Sequence, residues 1–181
     1  SRHIFWRHNI MTVVFDSPSD MTEDLRPYHD GPTFAGDVGA LIHHLRRTYG
    51  LPVWVVGTSR GTVATANAAS RLKKNSPDGA VFTSSLFEGK RSADVFDLPL
   101  ENVQIPSLIV HHELDGCQYT SPYDVLKFKA RLTKARTVKV IWFNRGSNRG
   151  DPCQAGGFHG FKGIEELVIG EISKWIKMPV N

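Results

Sequence analysis

The sequence predicts an α/β layered fold, a mainly parallel sheet of about five strands flanked by helices, in one domain over residues 1–181. Three observations predict it. Short apolar runs rich in β-branched residues alternate with stretches whose apolar residues recur at helical spacing, and parallel strands need such crossovers. The run Val53 to Val56 (VWVV) is apolar at successive positions, as a central strand covered on both faces requires. A chain of 181 residues buries a sizeable core without metals or many disulfides.

In order, residues 1–8 read as the tail of a helix. Met11 to Phe15 (MTVVF) reads as a strand that stops at the Asp16-Ser17-Pro18 turn. Residues 19–33, broken by Pro27, Gly31 and Pro32, read as a loop. Phe34, Val38, Leu41, Ile42 and Leu45 fall at helical spacing, and Gly50 ends that helix. After the VWVV strand, residues 60–73 form a helix kept slim by Ala64, Ala66, Ala68 and Ala69. Ala80 to Thr83 is a short strand, residues 85–104 a polar connection, and Ser107 to His111 a strand. Ser121-Pro122 opens a helix carrying Val125, Leu126 and Leu132, with Ser as cap and Pro at the first position. Val138 to Phe143 is a strand and 144–160 a polar, glycine-rich loop. Ile164, Leu167, Val168, Ile172, Trp175 and Ile176 define a closing helix that covers one face of the sheet.

Composition excludes several classes. Hydrophobic residues at 40% and charged residues at 22% rule out wholesale disorder. A net charge of +4 is too weakly basic to imply a nucleic-acid partner. Two cysteines rule out a disulfide scaffold and a four-cysteine zinc site, and nothing calls for a metal or cofactor. No apolar run reaches the ~18 residues of a membrane span, and SRHIFWRHNI is not a signal peptide. The chain starts at Ser1, not Met, so a segment upstream was removed or never included.

Gly57-Thr58-Ser59-Arg60-Gly61 joins the VWVV strand to the alanine-rich helix. By itself this also describes a glycine-rich turn with a capping serine. The strand before it and the helix after it make it the sharp turn on which G-x-S-x-G nucleophiles sit. Such a turn strains the serine backbone and crowds its flanks, so Gly57 and Gly61 are expected there for steric reasons. The Arg60 N–H, at the helix start, is then placed to face a developing oxyanion. A nucleophilic Ser59 needs a base and an orienting acid at the ends of later strands. Asp115 follows the SLIVH strand in His112-Glu113-Leu114-Asp115-Gly116. Glu113 competes with it, but the Asp-Gly turn favours Asp115. Of eight histidines, only His159 follows the last strand and has glycines beside it, in Gly157-Phe158-His159-Gly160. His111 and His112 stand near the acid as supporting groups, and His43 and His44 lie on a helix before the turn.

The segments GTSRG, HHELDG and GFHGF, in this order, resemble the α/β-hydrolase superfamily, and most of all small bacterial hydrolases related to dienelactone hydrolases. Gly150-Asp151-Pro152-Cys153 and Asp115-Gly116-Cys117 add to the likeness, which covers about residues 10–176. The resemblance implies Ser59 as nucleophile, His159 as base and Asp115 as orienting acid. It also implies a sheet of about eight strands, so the first strands and the loop giving a second oxyanion N–H should precede residue 1. The shortfall leaves three readings: a shortened chain, MTVVF moved in beside VWVV, or pairing of two copies as a homodimer through an open sheet edge.

If acid and base meet, Cys117 and Cys153 beside them lie close, and a Cys117–Cys153 disulfide is expected; a periplasmic or secreted protein would suit it. Lys127, Lys129, Arg131, Lys134, Arg136 and Lys139 gather on one helix and its exit, but no aromatic platform accompanies them, which favours a solvated face. The expected activity is hydrolysis of a carboxylic ester or lactone through an acyl-enzyme. The short 85–105 connection leaves no room for a large lid and suits small or short-acyl substrates. A hydrolase-like binding protein with little or no activity, lacking half its oxyanion hole, is the alternative.

Overall fold

The computed structural model describes residues 2–16, 18, 19, 25–90 and 92–180. Ser17 of the expected turn and residues 20–24 of the expected loop lie outside the described residues.

Four strands form one parallel sheet in chain order: β1 (Trp54–Thr58), β2 (Gly79–Thr83), β3 (Ser107–His112) and β4 (Val138–Phe143). Six helices accompany them among the described residues: α1 (Arg2–Arg7), α2 (Arg26–His29), α3 (Pro32–Tyr49), α4 (Gly61–Arg71), α5 (Val125–Arg131) and α6 (Glu165–Lys177). Because every pairing is parallel, each strand's carboxyl end, and the loop after it, lies on one rim. None of these helices is long and apolar enough to cross a membrane.

Burial follows the two-residue period of a strand. On one face Phe82 and Ile109 pack with Val63, Ala66 and Ala69 of α4 and Phe128 of α5. On the other, Val81, Leu108 and Val110 pack against Ile4 and Phe5 of α1 and Ile172 and Trp175 of α6. The closing helix thus covers a face as expected. Ala66, Ala68 and Ala69 of α4 are almost fully buried and Ala64 partly so, which lets α3 (Phe34, Val38, Ile42) stack outside it. Gly50 ends α3 in the left-handed region at φ 66°, where its N–H reaches Arg46 O.

Five expectations about the fold are corrected. VWVV, expected as a central strand, is the edge strand β1 among the described residues, and the segment 19–33, expected as a loop, holds the helix α2 and the start of α3. Met11–Phe15 is not a strand, so among the described residues the sheet has four strands where about five were expected. β-branched residues favour a strand, but a ladder needs a partner, and β1 pairs only with β2 among the described residues. The segment is held by side chains instead: Trp6 Nε1–H donates to Thr12 Oγ1 at 2.9 Å, and Phe15 meets Phe34 edge-on. Met11, Val13, Val14 and Phe15 stay 38–60% exposed, so MTVVF does not fill the place beside β1, whose Val56 is 44% exposed. Ser121 makes no side-chain cap; Pro122–Asp124 form a single 3₁₀ turn that leads into α5. The 85–104 connection is polar in composition, yet Leu86, Phe87, Val95, Leu98, Leu100 and Val103 are all buried, and Asp94 and Asp97 close a capping box within it.

The basic helix is largely solvated. Lys127 Nζ lies 4.5 Å from the Phe96 ring centre, and Arg131 reaches Glu101 at 3.7 Å.

Candidate active site

Ser59 stands between β1 and α4 with φ at 53°, a left-handed conformation that a serine adopts only where its surroundings impose it. Its N–H donates to Thr83 O at 3.0 Å, which ties the turn to the end of β2. At Gly57 a Cβ would run into the Gly61 carbonyl and lie 2.5 Å from Thr65 Oγ1, so glycine is required there. Gly61 differs from the expectation: a Cβ there meets open space, and its lack of a side chain is not imposed by these neighbours. The Arg60 backbone N–H donates no hydrogen bond among the described residues. Its guanidinium donates to Ser92 Oγ at 2.5 Å.

Asp115 and His159 meet. Each is almost fully buried, and His159 Nδ1–H donates to Asp115 Oδ2 at 3.0 Å. A carboxylate only accepts, so Nδ1 carries the proton and the lone pair falls on Nε2, the tautomer a general base needs. The carboxylate is further held by Cys117 N–H at Oδ1 (3.0 Å) and the Thr120 hydroxyl at Oδ2 (2.9 Å). Glu113 is exposed and takes no part. His159 sits in a 3₁₀ turn, Phe158–Gly160; at Gly160 a Cβ would collide with the Ala155 backbone, so the loop packs closely beside the ring.

Ser59 is brought to the same rim, next to Thr83. The following residue, Ser84, is fully buried at φ 44° and donates its hydroxyl to His159 O at 2.8 Å. No hydrogen bond joins Ser59 to His159 among the described residues; such bonds are often loose without substrate and tighten when it binds.

Thr120 and Ser84 had no signal in the sequence, because each acts on residues 39 and 75 positions away. The two histidines at the end of β3 lie beside the expected acid. His112 stacks on Phe158 at 4.2 Å, accepts Leu114 N–H at Nδ1 and donates from Nε2 to Arg145 O, which fixes both loops. His111 donates from Nε2 to Thr120 O at 2.9 Å and lies 3.6 Å from Asp115 Oδ2, while its Nδ1 has no hydrogen-bond partner among the described residues. Burial pushes the His111 imidazole below its ordinary range, more than the Thr120 carbonyl and Asp115 raise it. The unfolded chain therefore takes up a proton that the folded chain refuses. Stability contributed by His111 is present above the unfolded value of about 6.5 and falls as pH drops below it. The melting temperature should decline from pH 7 to 5, and His111→Gln, which retains a donor for Thr120 O, should flatten that decline.

Cys117 and Cys153 form a disulfide with Cα atoms 4.6 Å apart, joining the loop after β3 to the loop after β4. For a separation of 36 residues, the chain-entropy model gives roughly 4 kcal/mol. The Cys117→Ser/Cys153→Ser double variant should melt about 8–16 °C lower by calorimetry. An unchanged melting point would show that the bond contributes nothing.

No family model and no curated protein matches the sequence. Solved structures do. A protein of unknown function from Agrobacterium tumefaciens, described as a candidate alpha/beta hydrolase, superposes with a TM-score of 0.63 at 16% identity, over 97% of this chain and 73% of its own. A sugar hydrolase from Lactococcus lactis gives 0.56 at 15% identity, over 88% and 71%. A candidate dienelactone hydrolase from Klebsiella pneumoniae gives 0.52 at 14% identity, over 78% and 58%. These likenesses show the fold, and the fold is that of the α/β hydrolases.

Proposed function

We propose that this chain, an α/β hydrolase in fold, is a serine hydrolase that cleaves carboxylic esters or lactones with small or short acyl groups. The observation that carries the reading is the buried Asp115–His159 hydrogen bond on the same rim as a serine strained at φ 53°. Ser59 Oγ attacks the carbonyl carbon as its proton passes to His159 Nε2. Asp115 holds the imidazole and stabilises its protonated form. The oxyanion takes the Arg60 N–H, which has no other acceptor among the described residues. Collapse of the tetrahedral intermediate breaks the bond to the leaving alcohol, which receives the proton from His159. Water then attacks the acyl carbon as its proton passes to His159; the bond from that carbon to Ser59 Oγ breaks, Oγ takes the proton back from His159, and the carboxylic acid leaves. The Cys117–Cys153 bond supports a periplasmic or secreted protein.

A second reading keeps the fold as a binding protein. It is favoured by the lack of a Ser59–His159 hydrogen bond among the described residues and by a single oxyanion donor. Labelling by a fluorophosphonate separates the two: a serine hydrolase is modified at Ser59, and a wild-type protein that stays unmodified sinks the first reading.

A further inference from the structure

We infer that Thr120 is a positioning residue of this site: its hydroxyl fixes the Asp115–His159 pair and sets how much of the carboxylate charge the imidazole feels. The inference rests on the serine-hydrolase reading above. Thr120 is fully buried and its backbone is held at both ends, the N–H by Cys117 O at 3.1 Å and the carbonyl by His111 Nε2–H at 2.9 Å. Only the hydroxyl is left to turn. Its single proton goes to the one anion in reach, Asp115 Oδ2 at 2.9 Å. A lone pair of the same oxygen then faces His159 Nδ1 at 3.2 Å. The Nδ1–H thus lies between two acceptors, the carboxylate at 3.0 Å and the hydroxyl. Turning the ring away forfeits both contacts, so the hydroxyl holds the Nε2 lone pair in one direction.

The hydroxyl also tempers the charge. A donor on Oδ2 stabilises the carboxylate in its own right and leaves less negative potential for the imidazolium. Valine has the shape of threonine without the hydrogen bonds. Thr120→Val takes from the ring a neutral acceptor at 3.2 Å, which disfavours the imidazolium, and from the carboxylate a charge-assisted donor at 2.9 Å, which favours it; the shorter bond to the anion outweighs the longer, shared one, so His159 holds its proton to higher pH than in the wild type. The other ionisable groups near the pair are His111, 3.6 Å from Asp115 Oδ2, and His112 beside it on β3. The Thr120 carbonyl that holds His111 is backbone and survives each substitution, and Thr120→Ser controls for any displacement of either ring.

The test compares Thr120→Val, Thr120→Ala and Thr120→Ser with the wild type. His159 is titrated by NMR of its ring without substrate, and p-nitrophenyl acetate hydrolysis is followed across pH. The hydroxyl-free variants should move the His159 titration and the acid limb of kcat/KM up by roughly half a pH unit or more. They should lower kcat about tenfold with KM unchanged. Thr120→Ser should return both to the wild-type values. Hydroxyl-free variants that titrate His159 as the wild type does, or a serine variant that behaves like valine, overturn the inference. If the valine variant does not fold, the alanine and serine pair gives the same comparison. The ring titration needs no turnover, so a wild type without esterase activity defeats the hydrolase reading while Thr120 is still judged by NMR.

Discussion

Replacing Ser59 with alanine is expected to abolish fluorophosphonate labelling and to cut hydrolysis of p-nitrophenyl acetate and butyrate by at least about a thousandfold. The change removes one oxygen from a turn whose backbone is fixed by other groups: Ser59 N–H on Thr83 O, Thr62 N–H on Ser59 O, and the bare Gly57 against α4. Alanine tolerates positive φ poorly, so a small loss of stability accompanies the loss of activity. It should stay within about 1–2 kcal/mol and is read separately from the melting curve. Equal rates for the wild type and Ser59→Ala at matched folding would reject Ser59 as nucleophile. A background rate from histidines or lysines at the surface survives the substitution, so the comparison isolates the serine.

Asp115→Asn is expected to lower kcat roughly 1,000- to 10,000-fold while the protein stays folded. The reason lies in what surrounds the carboxylate. Both oxygens accept: Oδ1 from Cys117 N–H, Oδ2 from the Thr120 hydroxyl and His159 Nδ1–H. Asparagine offers one accepting oxygen and one donating NH₂. With the NH₂ towards His159, it donates to Nδ1, the imidazole proton moves to Nε2, and Nε2 is left with no lone pair to accept a proton. With the oxygen towards His159, the NH₂ confronts the Cys117 N–H, and a buried donor is left unpaired. Either arrangement disables the pair. Kinetics as a function of pH, together with the ring nitrogen shifts of His159, distinguish the two, and a variant that keeps wild-type kcat would remove Asp115 from the mechanism.

Much of this architecture was legible in the residues, for physical reasons. SLIVH is apolar at successive positions because both faces of the sheet are covered there, whereas VWVV, expected as a central strand, forms the edge strand β1 among the described residues, with Val56 44% exposed. The alanines of α4 announce close packing, and α3 does stack directly upon it. The Cys117–Cys153 bond follows from its neighbours, since residues flanking two groups that touch must also lie close. The misread elements share a cause. MTVVF has strand chemistry, but sequence does not say whether a ladder partner stands beside it, and here none does among the described residues. The 85–104 connection looks polar on average, while its few apolar residues are the part that enters the core. Thr120 is an ordinary loop threonine until the fold sets its hydroxyl between an acid five residues back and a ring 39 residues on.

The disulfide has a consequence for the proximity of acid and base. Asp115 stands two residues before Cys117, and His159 six residues after Cys153. Through the bond the two groups are joined by a tether of a few residues, not by the long run of chain that includes α5 and β4. A short flexible tether holds its ends at an effective concentration in the millimolar range. Encounter of His159 with Asp115 is therefore an intramolecular event of short reach, and it persists through local loosening of β4 or α5. Ser59 has no such tether. Its approach to His159 depends on the fold of the sheet, through the seam of β1 and β2, so Ser59, the proposed nucleophile, is the member of the proposed trio whose local concentration follows the integrity of the fold.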